Sequence, residues 1–338
     1  MTLDLLLRLR LRLGVSVAVM DGSIKQRKLK PTRIRGTSGL IPPVLLVLAA
    51  CGGGGGGSGG SPTVSNLTSW NSISYPSVVT ASAVGYEGNY SYNTGTGQIT
   101  SVGAASVTSN SSIALTYNSS GTLTAASVVT ANQTQNYDNF AAANANGTLT
   151  FGLKSNDSGD WALATEPTSS LLNWKYQSIA IWTDPDGLGS GKYGAISAGA
   201  ETNATTLPTS GTASFTGAGG GFYTDVSNNV FVVQSDISAT ANFATSQLTV
   251  NSTNSGKQQY TNGNFGSYSN DANLNYSGTL TNVINGSEHV ISGTLTTTSG
   301  LSGPAEGRFY GANGAEVGGA FNLTGGGQTF VGAFGAKQ

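Results

Sequence analysis

From residue 62 onward, apolar residues recur at every second position in short runs. Ile113, Leu115 and Tyr117 share one face of such a run, as do Leu149, Phe151 and Leu153. The same spacing joins Trp174, Tyr176, Ala180 and Trp182, then Ile237, Ala239, Ala241 and Phe243, then Leu248 and Val250. It returns at Leu274, Tyr276 and Leu280, at Ile291 and Leu295, and at Phe330, Gly332 and Phe334. Serine, threonine and asparagine fill the alternate positions. Period-two alternation with one apolar face predicts antiparallel strands that bury one side. No stretch of this region carries the 3.6-residue period of an amphipathic helix.

Clusters of Gly, Asn and Asp separate the runs, as in "NTGTG", "SNDSGD", "DPDGLGSG" and "INGS", and these read as turns. "GAGGGFY", residues 217–223, reads as a hairpin loop; without a lysine or a following helix it is no phosphate cradle. The buried positions often hold Ala or Gly, which suits a barrel, where converging strands leave little interior room. The polar stretch near 154–170 predicts a boundary between two β domains, 62–170 and 171–338. Glycine contributes 49 of the 338 residues and charged residues only 9%, consistent with an all-β chain.

Charge is divided along the chain. Residues 1–50 hold nine of the Lys and Arg residues, whereas the part from Cys51 onward holds six basic and fourteen acidic residues. The body is therefore acidic, which argues against nucleic acid as a partner, because neutralising phosphates needs clustered cations.

Residues 1–50 read as a signal segment. A basic stretch, "IKQRKLKPTRIR", precedes a short apolar run, "LIPPVLLVLAA", which falls well below the roughly 20 apolar residues that span a bilayer. Met20 stands as an alternative start to Met1, because the first residues alternate Leu and Arg and fit a signal poorly. The one cysteine of the chain follows directly. Leu48-Ala49-Ala50-Cys51 resembles the bacterial lipobox, which implies cleavage before Cys51 and acylation of its sulfur and amine, palmitate-type chains included. Each buried methylene adds about 0.8 kcal/mol to membrane affinity, so several chains hold firmly. Residues 51–61 are a glycine-rich tether. As a flexible coil of ten residues it spans roughly 18 Å.

Two stretches are more specific than alternation. Residues 207–223 read "LPTSGTASFTGAGGGFY", and residues 303–338 read "GPAEGRFYGANGAEVGGAFNLTGGGQTFVGAFGAKQ". They resemble the β-barrel domain of transferrin-binding protein B and related surface lipoproteins. The opening signature falls on Pro208, Gly211, Ala213, Phe215 and Gly217, with Phe215 where the family usually has Tyr. The closing signature falls on Phe309, Tyr310 and Gly311, on Ala315 and Glu316, on Gly318 and Gly319, and on Phe321, followed by a strand at 330–334. The resemblance implies an antiparallel β handle domain, 62–170, followed by an eight-stranded β-barrel, 171–338. In that reading Gly311 and the pair Gly318 and Gly319 allow tight turning and close strand approach. Glu316 accepts hydrogen bonds near the turn or stands exposed, and Phe309 and Phe321 face the barrel interior.

The resemblance also implies an outer-membrane, surface-exposed lipoprotein that binds, with an extracellular protein or a haem or iron carrier as the partner class. The family's better-known members carry two lobes, whereas this chain has room for one. A structural or adhesive surface lipoprotein with no dedicated small ligand is the alternative. A small membrane-spanning barrel fits less well, since aromatic girdles and a final aromatic residue are missing.

Catalysis finds no support in the residues. His289, in "NGSEHVIS", is the one histidine, and no nucleophile elbow accompanies the many serines. Asp184-Pro185-Asp186-Gly187 invites a calcium loop, but the fifth and twelfth positions hold Leu188 and Ala195, so a turn is expected. No catalytic residue, metal or cofactor is assigned, and the ligand-binding residues stay unnamed.

Overall fold

The computed structural model describes residues 63–142, 148–154, 157–261, 264–285 and 288–338. They form two antiparallel sheet systems, so the fold is all-β. The first is built from β1 (Thr63–Asn66), β2 (Ser77–Tyr92), β3 (Ile99–Val102), β4 (Ser106–Tyr117), β5 (Leu123–Val129), β6 (Thr134–Tyr137), β7 (Asn139–Ala142), β8 (Leu149–Lys154), β9 (Asp157–Thr165), β10 (Gln177–Pro185) and β11 (Ser190–Gly199). Its order is β6-β5-β4-β2-β11-β10-β9-β8-β7, with β1 parallel to the start of β2 and β3 beside its end.

The second comprises β12 (Thr212–Thr224), β13 (Val230–Asn242), β14 (Gln247–Thr261), β15 (Asn264–Asn270), β16 (Tyr276–Asn285), β17 (Glu288–Thr297), β18 (Ser302–Tyr310), β19 (Glu316–Gly325) and β20 (Gln328–Lys337). Pairing of β13 with β14 closes a ring that runs β12-β20-β19-β18-β17-β16-β14-β13. This is the eight-stranded antiparallel barrel that the alternation and the signatures predict. β15 lies off the ring, as an arm paired with the far half of β14.

Alternation dictates the barrel core. Ile237, Ala239 and Ala241 on β13, Leu248 and Val250 on β14, Leu280 on β16, Ile291 and Leu295 on β17, and Phe330 and Phe334 on β20 all pack inside. Burying each large side chain stabilises by about 1.5–3 kcal/mol. The glycine run of 217–223 is no loop. It lies within β12, because inward glycines leave the space that aromatic rings fill. A Cβ on Gly219 would stand 2.7 Å from the Tyr276 hydroxyl, and one on Gly221 would stand 2.9 Å from the Phe330 ring. Those rings pack tightly: Tyr276 and Phe321 have centroids 4.7 Å apart, and Phe321 and Phe330 are 5.1 Å apart, edge to face.

The first sheet departs from the expected pattern in two ways. β10 and β11 belong to it, so the change of sheet falls between Gly199 and Thr212, not near 170. Trp174 does not share a face with Trp182. The strand begins only at Gln177, and the residues before it break the two-residue count. Trp182 and Ala180 turn to the interior of the first sheet, with Trp70, Val79, Ile113 and Ile196. Trp174 turns to the barrel, with Ile179, Ile181, Tyr193 and Ala195. That second face packs against Phe222, Val232, Ala320, Val331 and Ala333, which are the outward residues of the barrel wall.

Polar contacts fasten the base of this junction. The Glu316 carboxylate accepts backbone N–H bonds from Lys175 at 2.6 Å and Tyr176 at 3.1 Å. Burial pushes this carboxyl up, while the N–H donors pull it back. The Gln177 side-chain amide donates to the Ala336 carbonyl at 2.8 Å, and the Gln177 backbone carbonyl accepts from the Trp70 indole at 2.9 Å. Tyr310 and Ser197 hydroxyls meet at 3.0 Å, and Thr202 donates to the Gly311 carbonyl at 2.6 Å. The approach leaves no room for side chains. A Cβ on Gly318 would lie 2.3 Å from Gln177 and 2.5 Å from Ser197, and one on Gly311 would strike the Tyr176 ring.

Glu316→Ala leaves two part-buried backbone donors without their acceptor. It is expected to lower unfolding free energy by about 2–4 kcal/mol, read from denaturant midpoints. An exposed substitution such as Thr249→Ala serves as the control and changes little.

Candidate functional site

At the end of β2 away from β1, turns from both sheets converge. They are residues 93–98, 186–189, 225–229 and 326–327, which join β2 to β3, β10 to β11, β12 to β13 and β19 to β20. Short contacts tie them together. The Tyr92 N–H donates to the Gly189 carbonyl at 2.8 Å, and the Asn228 amide donates to the Thr100 carbonyl at 3.0 Å, crossing from barrel to first sheet. Val226 stands over the 326–327 turn.

Three of the four turns are braced by a side chain of their own. Asn93 accepts N–H bonds from Gly95 and Thr96, Asp186 from Leu188 and Ser190, and Asp225 from Ser227 and Asn229. Hydrogen bonds from Leu188 and Ser190 hold the Asp186 carboxyl below the usual carboxylate range. At Asp225 burial works upward, but the Asn229 and Ser227 donors outweigh it and the carboxyl is lowered. Gly187 and Gly189 take φ of 72° and 106°, which glycine adopts without steric cost. This bracing lets two large apolar side chains point into solvent: Leu188 is 87% exposed and Val226 66% exposed.

Aromatic packing stands behind the turns. Trp161 of β9 stacks on Phe151 at 5.6 Å, and meets Phe222 of the barrel wall at 5.3 Å and Tyr260 of the β14–β15 arm at 5.0 Å. Lys257 on the same arm pairs with Asp271 at 2.7 Å and lies over the Phe231 ring at 4.8 Å. The arm, the barrel and the first sheet are thus tied into one support, and fixed turns on a rigid scaffold are how binding residues are commonly presented.

The residues singled out in the sequence fall elsewhere. Pro208 lines a cavity of about 260 Å³ at the opposite mouth of the barrel, with Leu207, Phe243 and Phe309. Gly211 has φ of 86° in the turn before β12, Phe215 is buried in the barrel, and Gly217 approaches the backbone of Gly335. Phe309 and Phe321 face the interior as expected, and Gly319 makes room for the Phe334 ring. Tyr310, Gly311, Glu316 and Gly318 turn outward to the first sheet. The signatures therefore mark the barrel and its junction, and none marks the turn cluster.

Asp184-Pro185-Asp186-Gly187 ends β10 and forms a turn. Among the described residues no group of three or more His, Cys, Asp or Glu side chains is placed to hold a metal. His289 lies on β17 opposite Ile284, with its side chain outside the described residues. Cys51 and the tether lie outside them as well. Leu188 and Val226 were not singled out in the sequence as exposed turn residues; the available signal was a large apolar residue inside a turn rich in Gly, Asp or Asn.

Residues 207–338 match the family described as the C-lobe and N-lobe beta barrels of Tf-binding protein B. No curated protein matches the chain. Similar solved structures include a point mutant of transferrin-binding protein B from Haemophilus parasuis Hp5, 11% identical over 77% of this chain and 76% of that one, with a TM-score of 0.37. Transferrin-binding protein B from Neisseria meningitidis is 14% identical over 69% of this chain and 52% of that one, with a TM-score of 0.35. The N-lobe of lactoferrin-binding protein B from Moraxella bovis is 12% identical over 76% and 98%, with a TM-score of 0.34. The closed eight-stranded ring, the signature positions within it and the family match together make residues 207–338 a transferrin-binding protein B-like β-barrel.

Proposed function

We propose that this protein is a lipid-anchored outer-membrane lipoprotein, displayed on the cell surface, that captures an iron-carrying protein through the turn cluster of both sheets. It acts by binding and does no chemistry. The observation that carries this reading is the position of the turns. β1 begins at Thr63, paired with Ser77 at the start of β2, whereas the turn cluster surrounds Tyr92 at its end. A strand of 16 residues spans roughly 50 Å, so a tether joined at Thr63 holds the cluster far from the lipid. The family match of the barrel supports a binding role. The named relatives bind transferrin or lactoferrin, which makes iron-bearing proteins of that kind the first partners to try.

Leu188 and Val226 are the anchors in this reading. Exposed apolar tips on braced turns lose little conformational entropy on binding, and a few residues near the centre of an interface carry most of its energy. The double substitution Leu188→Asp with Val226→Asp should weaken binding of iron-loaded transferrin or lactoferrin by at least about 2 kcal/mol, roughly 30-fold, in surface plasmon resonance. Folding should be unchanged, because neither side chain is in a core. Unchanged affinity in the double variant places the interface elsewhere. Absence of saturable binding by the wild type, together with loss of surface attachment in a deletion strain, supports the structural or adhesive reading instead.

Anchoring is tested separately. Cys51→Ala should move the protein from the membrane fraction to the soluble fraction, and protease added to intact cells should digest the wild-type body while a periplasmic control survives. Membrane retention of Cys51→Ala, or a protected body, contradicts the anchored and displayed arrangement.

A further inference from the structure

The first sheet closes on itself at a corner. Residues 134–142 form one bent stretch: β6 pairs with β5, and after Asp138 the chain continues as β7, which pairs with β8. Among the described residues no strand pairs with the other edge of β6, so a seam remains beside β8 and β9.

Charged side chains line the interior at this seam. Trp161 of β9 stands opposite Thr183 of β10, so Asp160 and Asp184 follow as cross-strand neighbours. Asp160 is 0% exposed. One of its oxygens pairs with Lys154 Nζ at 2.8 Å, and the other, Oδ1, has no partner. Asp184 accepts a hydrogen bond from the Gln135 amide of β6 and lies beside Asp160 across the β9–β10 pair. The buried Tyr137 hydroxyl, also on β6, has no partner. Beside them Glu87 of β2 pairs with Lys192 of β11 at 3.2 Å and accepts from Thr130, Asn132 and Gln133, the turn that leads into β6. Tyr90 of β2 feels both aspartates as well as Tyr92 and Tyr260. Among the described residues three carboxylates thus face two lysines, and one buried carboxylate oxygen lacks a donor.

We propose that Asp184 keeps a proton and donates it in a hydrogen bond to the Asp160 carboxylate, and that this proton latches the seam of the first sheet. With the proton in place, one carboxyl donates to the other, and Gln135 holds β6 against β10. When the proton leaves for solvent, two carboxylates face each other across adjacent strands. Their repulsion frees β6 and the turn at 130–133 that leads into it.

The sign follows from the folded state. Burial, then the neighbouring Asp160 charge, raises the Asp184 carboxyl to about 6. Between the ordinary carboxylate value of about 4 and that point, the folded protein keeps a proton that the unfolded chain has released. Stability therefore falls as pH rises through this window and levels off above it.

Hydrogen exchange of the mature protein at pH 5.0 and pH 7.5, corrected for intrinsic rates, tests the latch. Peptides covering 130–137 should lose protection by roughly fivefold or more at pH 7.5, while β19 and β20 peptides stay constant. Asp184→Asn, whose amide can donate without ionising, should remove the difference, and Asp160→Asn should reduce it. Equal corrected protection of the wild type at both pH values overturns the proposal. So does a pH dependence that persists in an Asp184→Asn protein whose barrel peptides match the wild type. If neither variant folds, the wild-type comparison still decides.

Discussion

Everything else in the molecule depends on the burial of one barrel wall against one sheet. A closed barrel satisfies its own backbone and needs no neighbour. Here its wall at β12, β13, β19 and β20 carries Phe222, Val232, Ala320, Val331 and Ala333 on the outside. Left in water, such a patch would be an association surface. Covered by Trp161, Trp174, Ile179, Ile181 and Tyr193, it becomes a third core shared by both halves. Glycines at 311 and 318 set the distance, and the buried Glu316 closes the base by accepting from two part-buried backbone donors on the first sheet's side. The turn cluster inherits its rigidity from this junction, since half of its turns come from each side.

The barrel was legible where its strands lie clear of the first sheet and bury only one face. Ile237, Ala239 and Ala241, or Leu248 and Val250, read as alternation and were found inside. The first sheet was harder because both of its faces are covered. On β11, Tyr193 and Ala195 go to the barrel and Ile196 and Ala198 to the sheet interior, so no polar face remains to mark the period. The position of the change between sheets was missed for the same reason. The glycine run at 217–223 misled in the opposite direction. Glycine there serves neighbouring rings across the barrel, a requirement set by Tyr276 and Phe330 far along the chain.

The site was less legible than the fold. Glu316 stands out as part of a signature, but the donors it serves, Lys175 and Tyr176, lie about 140 residues away and have no signature of their own. Leu188 and Val226 gain meaning only when their turns are seen to lie at one end and to be braced by Asp186 and Asp225. Nothing local distinguishes an apolar residue at a turn tip that binds from one that is merely tolerated.

The central claim is that the two sheets present one binding face at the end away from the tether. Hydrogen exchange of the protein with and without saturating iron-loaded transferrin or lactoferrin tests it most directly. The account predicts joint protection of the turns at 93–98, 186–189, 225–229 and 326–327, with the barrel mouth around Pro208 unaffected. Protection confined to one sheet, or centred on the Pro208 mouth, would contradict it.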